Sequence, residues 1–370
     1  MKNKFKIILF NIILLIAFLM LLDFSSEIYL DVSHYFKRKS SNKIMKDKRA
    51  SLPNYYNISW ADKFFEEKEQ LKTEYRSYYE WRKLPFNGVT IHIDSSGVRQ
   101  TVQSFTESDK SPIAVFLGGS TMWGMGVSDE YTIPSYFARK SNWKYKTLNF
   151  GESGYCAYQG FQFFQLKIIT GLKPQLVISY DGTNNTPYRG NFFAHAREKQ
   201  IIERMKGADS EPEYKTYFLK PTRDLISNIK LYFNSQKKPS SKDIPVFSKE
   251  RNRKAAIELL ETWLLMKQTC SLIHADFICV LQPNAFVGKP NLNSIKEELT
   301  YNPYQHGYEY YADIIELLDS TKYSILKDNF INLTGAFDSI PNVYIDFCHV
   351  SPNGNEIIAD LLLQYLEKRK

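Results

Sequence analysis

Three observations predict an α/β fold, a parallel sheet with helices on both faces. Strand-like runs recur at 113–117, 144–150, 176–180 and 275–281. Helical patterns separate them, and each run ends in a short segment of polar or glycine residues. The first run, Ile113 to Leu117, is apolar throughout, as in a strand buried on both faces. It leads into Gly118-Gly119-Ser120-Thr121, a tight strand-to-loop turn that puts Ser120 at the carboxyl end of the strand, where open α/β sheets place ligand crevices.

The elements follow in order. Lys2, Lys4 and Lys6 precede an unbroken apolar run from Ile7 to Leu22. As a helix this run is about 24 Å long, which snorkelling lysines and Phe24 extend toward a bilayer core of about 30 Å. Residues 1–24 are therefore expected to be an uncleaved anchor. A cleaved signal peptide is the rival reading, but Asp23-Phe24-Ser25-Ser26-Glu27 lacks a small-x-small cleavage pattern. Residues 25–110 read as a juxtamembrane segment and a small N-terminal subdomain, with a helix in 60–79 and a hairpin formed by 89–94 and 98–102 around Ser95-Ser96-Gly97. Arg99 and His92 in that hairpin are expected in a surface salt bridge and a partly exposed sheet position.

Residues 111–370 form the α/β body. Helices are expected at 129–140, with Ser128 or Asp129 as cap, and at 158–172, 253–273, 308–318 and 355–367. Short apolar runs at 330–333 and 343–345 precede the last site segment. Two insertions interrupt the alternation, at about 186–249, with a helix near 194–205 and a polar loop at 235–243, and at about 285–306.

The 370 residues carry 48 Lys and Arg against 40 Asp and Glu, a net charge of +8. Much of the excess lies in Lys37-Arg38-Lys39 and in 43–49, which reads as a solvated segment beside the membrane, near acidic lipid heads. A nucleic-acid-binding function is excluded, because no basic surface interleaved with aromatics and no binding motif is legible. The four cysteines (156, 270, 279 and 348) form no metal-ligand spacing and no disulfide framework, although Cys156 and Cys348 both neighbour candidate site residues.

The chemistry-bearing residues come at strand ends and at the last helix entrance. Ser120 is a candidate nucleophile, which needs a base to take its proton. Asp346 and His349, three residues apart on a loop entering a helix, can hydrogen-bond to each other while the second ring nitrogen points at the serine. The candidate oxyanion donors are the backbone N–H groups of Ser120 and Gly154 and the side-chain amide of Asn184. Taken singly, each also reads as turn or capping chemistry; their order along the chain is what joins them.

With these blocks in hand the sequence resembles the SGNH (GDSL-type) hydrolases, from about residue 113 to the carboxyl end. The matching blocks are Gly118-Gly119-Ser120, Asn149-Phe150-Gly151-Glu152-Ser153-Gly154, Gly182-Thr183-Asn184-Asn185 and Asp346-Phe347-Cys348-His349. The resemblance implies a three-layer α/β/α sandwich of flavodoxin-like type, Ser120 as nucleophile, His349 as base, Asp346 as its orienting partner, and Ser120, Gly154 and Asn184 as the oxyanion hole. It implies no metal and no organic cofactor. Two positions depart from the family pattern, Gly119 and Asn185 each standing where an Asp is usual, which bears on loop hydrogen bonding more than on reaction type.

The expected function is an esterase removing acyl groups, acetyl first, from a cell-envelope or surface polysaccharide or another small ester. The catalytic part is expected outside the cytoplasm on a single-pass anchor, with a membrane-bound polysaccharide-assembly protein as a candidate partner. Three alternatives stand beside it: an O-acyltransferase using the same acyl-serine, a lipase or thioesterase, and a non-catalytic glycan-binding scaffold.

Overall fold

The computed structural model describes residues 2–41, 47–103, 111–185, 221–223, 225, 226, 229, 248–299 and 305–369. The helix expected near 194–205 and the polar loop at 235–243 lie outside the described residues. The chain divides into two compact units, residues 1–45 with 194–244, and residues 46–193 with 245–370.

In the first unit, helix α1 (Lys2–Ser41) runs well past residue 24, where the anchor was expected to end. Its segment Lys4–Ser33 is long and apolar enough to cross a membrane, and most of its side chains are exposed. Asp23 is not left bare: its Oδ1 accepts from the N–H and hydroxyl of Thr222, at 3.1 and 3.0 Å.

The second unit opens with two 3₁₀ turns (Lys48–Ser51 and Pro53–Tyr55), helix α2 (Ala61–Gln70) and the hairpin β1 (Thr73–Arg76) and β2 (Glu80–Lys83). The helical expectation for 60–79 thus holds only to residue 70. Strands β3 (Phe86–Asn87) and β4 (His92–Ile93) pair antiparallel, while the expected 89–102 hairpin survives as the turn at Asp94–Val98 and single bridges from Arg99 to Ile93 and Asn149. Residues 47–103 belong to the same unit as the main sheet, sharing with it a cluster of Tyr55, Phe64, Phe65, Ile93, Trp123 and Ile345.

The main sheet is parallel, in the order β6-β5-β7-β8-β9. It consists of β5 (Ile113–Gly118), β6 (Lys146–Asn149), β7 (Leu176–Asp181), β8 (Asp276–Leu281) and β9 (Phe330–Asn332). Between them lie α3 (Ser120–Trp123), α4 (Ile133–Lys140), α5 (Ala157–Ile169), α6 (Lys249–Leu272), α7 (Lys296–Leu299) and α8 (Tyr310–Leu318), and α9 (Pro352–Lys368) closes the chain. The strand period sorts the core into two layers. Ala114, Phe116, Ile178 and Val280 face α4 and α9, whereas Val115, Leu117, Val177 and Cys279 face α5, α6 and α8. This is the expected three-layer sandwich. The helix expected from 129 begins as a 3₁₀ turn, Asp129–Tyr131, and the α-helix starts at Ile133, because Thr132 rather than Ser128 or Asp129 accepts the capping bond, from the Ser135 N–H.

Candidate active site

Three loops at the carboxyl ends of β5, β6 and β7 and a fourth at the entrance to α9 converge. Ser120 follows β5 and is the first residue of α3, so its N–H has no acceptor within the helix. The last loop, 346–349, precedes α9. The structure brings the three expected side chains into one relay: Ser120 Oγ lies 2.7 Å from His349 Nε2, and His349 Nδ1 lies 2.6 Å from Asp346 Oδ2. Asp346 is turned toward the ring by its own loop, since its Oδ1 accepts from the N–H groups of Cys348 (3.0 Å) and His349 (2.8 Å). Burial alone would raise the Asp346 pKa; the His349 ring and these N–H groups hold it well below the usual carboxylate range. With that carboxylate on Nδ1, the imidazole donates from Nδ1 and its Nε2 is free to accept the serine proton.

Asp346, Cys348 and His349 are also the one group among the described residues whose donor atoms lie close enough to hold a metal, within 4.8 Å. Both ring nitrogens of His349 are engaged, one by Asp346 and one by Ser120, so the set forms a hydrogen-bond relay and fits an ion poorly.

The loops carrying the expected oxyanion donors meet beside Ser120. Asn184 Nδ2 donates to the Tyr155 carbonyl at 2.8 Å, which ties the loop after β7 to the loop after β6. Gly154 has φ +84°, a left-handed conformation that favours glycine. A Cβ at Gly119 would lie 2.2 Å from Asn184 Nδ2. The aspartate usual at position 119 therefore has no room here: the amide occupies its space. At the other departure, Asn185 Oδ1 accepts from the Ala157 N–H at 3.4 Å, so a neutral oxygen serves the first turn of α5. The third loop is pinned from beneath, Gly182 by the Tyr310 hydroxyl and Thr183 by Gln282.

Sequence reasoning missed the side chains that hold these loops. Glu152 is fully buried and bound by Lys83 through its ammonium and its N–H, and Lys83 Nζ also donates to Ser153 Oγ at 2.8 Å. Burial would raise the Glu152 pKa, but Lys83 and Arg82 hold it below the usual range. Trp81 Nε1 donates to the Ser153 carbonyl at 3.1 Å. Arg99, expected at the surface, is only 1% exposed. Its guanidinium is satisfied by Asp129 and by the carbonyls of Trp123, Gly124 and Val127, which is why burial is tolerated and how it fixes the end of α3 behind Ser120. Arg49, at the end of the basic segment expected to be solvated, reaches Asp346 Oδ2 at 3.2 Å. None of the four cysteines is in a disulfide.

No family model and no curated relative matches this chain. Its structure is similar to a GDSL-like lipase from Bacteroides thetaiotaomicron VPI-5482, at 16% identity over 71% of this chain and 92% of that one, TM-score 0.38. It is similar to a carbohydrate acetylesterase from Sinorhizobium meliloti, at 14% identity over 70% and 100%, TM-score 0.37. A member of the lipolytic protein G-D-S-L family from Veillonella parvula DSM 2008 aligns at 10% identity over 68% and 96%, TM-score 0.37. At that level of similarity the chemistry rests on the residues themselves.

Proposed function

We propose that this chain is an SGNH-type ester hydrolase in which Ser120 is the nucleophile, His349 the general base and Asp346 the group that orients the ring. The observation that supports this best is the continuous relay from Ser120 Oγ to His349 Nε2 (2.7 Å) and from His349 Nδ1 to Asp346 Oδ2 (2.6 Å). In this reading Ser120 Oγ attacks the ester carbonyl carbon while its proton passes to His349 Nε2. The negative oxygen is held by the N–H groups of Ser120 and Gly154 and by the Asn184 amide. The acyl–oxygen bond then breaks and the leaving alcohol takes the proton from Nε2. Water next attacks the acyl-serine, gives a proton to the ring, and the ring returns it to Ser120.

The acyl group in this proposal is acetyl and its carrier an envelope polysaccharide. The apolar helix Lys4–Ser33 supports action at a membrane, and Lys2, Lys4 and Lys6 ahead of its apolar run from Ile7 support a body outside the cytoplasm.

The test is hydrolysis of aryl acetates by the full chain in detergent, beside Ser120→Ala with matched circular dichroism. The expected loss in kcat is about 10⁴-fold or more, together with loss of labelling by a fluorophosphonate. Equal rates in the two proteins would sink the proposal. A series of longer aryl esters is expected to fall steeply beyond acetyl. Acyl transfer to added oligosaccharide that outruns hydrolysis would replace the esterase with a transferase using the same serine.

A further inference from the structure

We propose that Arg49 is a positioning residue of this site, orienting Asp346 and setting how strongly that carboxylate holds the His349 ring. The inference rests on the hydrolase reading above. Arg49 Nη1 donates to Asp346 Oδ2, the same oxygen that faces His349 Nδ1, so cation and imidazole share one carboxylate oxygen. The guanidinium is itself held in place: Nε and Nη2 donate to the two oxygens of Asp47 at 3.1 and 2.8 Å, and Cζ lies 5.0 Å over the Phe65 ring. Asp47 in turn caps the 3₁₀ turn Lys48–Ser51 by accepting from the Arg49 N–H.

The neighbouring residues make the same connection. Asn54 Nδ2 donates to the carbonyls of Asn342 (2.6 Å) and Tyr344 (3.0 Å), just ahead of Asp346, and the Tyr55 hydroxyl donates to the Gly126 carbonyl. Arg49 and Asn54 thus hold the segment that carries Asp346 and His349, while Tyr55 ties the same stretch to the loop after α3. Arg49 is a quarter or less exposed, at 21%, and Asp346 at 8%, so their attraction is only partly screened. Burial would lower the Arg49 pKa, and Asp47 and Asp346 more than offset it.

The physical role follows from the shared oxygen. A cation on Oδ2 draws off part of the negative charge that stabilises a protonated imidazole. It also stops the carboxylate from rotating away from Nδ1. The other titratable groups facing this cluster are Asp47, Tyr55 and Cys348, whose Sγ lies 3.7 Å from His349 Nδ1; Lys68 acts on Asp47. A lysine at 49 would keep the charge but lose the planar fork that spans two carboxylates.

The experiment uses the full chain in detergent with ring-labelled histidine, His349 being assigned against a His349→Asn variant. Titration of the ring by NMR is read without turnover, and kcat and KM for an aryl acetate are followed across pH in parallel. Arg49→Gln is expected to raise the His349 midpoint by about half a pH unit and to lower kcat about tenfold with little change in KM. Arg49→Lys returns the midpoint close to wild type and recovers part of kcat. Asp47→Asn, which keeps the cation and removes its competing carboxylate, moves the midpoint the other way, downward.

A folded Arg49→Gln protein whose His349 titrates as in wild type overturns the inference, whatever its rate. If Arg49→Gln does not fold, Asp47→Asn decides: an unchanged or raised midpoint overturns it. A wild type without Ser120-dependent hydrolysis overturns the hydrolase reading instead, and the NMR arm still reports on Arg49 alone.

Discussion

On one side of Ser120, Asp346 and His349 come from four consecutive residues, and the loop's own N–H groups aim the carboxylate at the ring. On the other side, the Gly151–Tyr155 loop makes local bonds from the Ser153 and Tyr155 N–H groups to Glu152, and it is fastened from β2 as well, by Lys83 on Glu152 and Ser153 and by Trp81 on the Ser153 carbonyl. The first half leaves its ring at the edge of solvent, with the His349 side chain 14% exposed above a buried Asp346, whereas the second encloses its ion pair completely, Glu152 being 0% exposed. Proton transfer needs a group that can change charge, and a partly open relay permits it. A donor that must stand still while charge develops on the substrate is better served by a closed ion pair, which is costly to disrupt.

Breaking the open half should cost the most activity and the least stability. Asp346→Asn is expected to lower kcat about 10⁴-fold, roughly 5.5 kcal/mol of barrier, while a denaturation curve shifts far less. A variant retaining more than a tenth of wild-type kcat would count against the relay.

Breaking the closed half should show mainly in stability. Glu152→Gln leaves the Lys83 ammonium buried without its counter-charge, at a cost of about 3–5 kcal/mol in chemical denaturation. Adding Lys83→Met should recover part of that. A single variant as stable as wild type would mean that the pair contributes nothing to holding the loop.

The closed half's tie to the loop after β7 is sharpened by Asn184→Ala, expected to lose about 10²–10³ in kcat, or about 2.7–4 kcal/mol, with KM little changed. Gly119→Ala pushes a methyl into the same amide and should give a loss of the same kind. A rise in KM with kcat intact would assign Asn184 to substrate binding and remove it from the oxyanion hole.

The smallest effect concerns Asp181, fully buried below the Asn184 loop, where it accepts from Ser179 Oγ and Trp263 Nε1. Burial pushes its pKa up to about 6, against the hydrogen bonds that lower it. A carboxyl raised on folding contributes fully below its unfolded pKa of about 3.9 and loses that contribution as pH rises through about 6, a change of about 3 kcal/mol. Stability measured from about pH 4 to 7 should fall by that order in wild type and stay flatter in Asp181→Asn. Identical pH profiles would remove Asp181 from the account.

Much of this architecture was legible in the chain. The apolar run at 113–117 and the largely apolar runs at 176–180 and 275–281 read as strands covered on both faces, and they are. Asp346 and His349 were readable as a pair because the contact between them is local, three residues along one loop. Ser120 was readable because two glycines and a buried strand fix where it stands. Tertiary structure decided which distant charges hold these loops. Arg49 and Asp346 are 297 residues apart, and Lys83 and Glu152 are 69 apart. A charged residue in sequence looks alike whether it is solvated or paired, since the partner that offsets its desolvation is chosen only when the chain closes on itself. Arg49 and Arg99, expected in solvent, are thus found at the site and in the core.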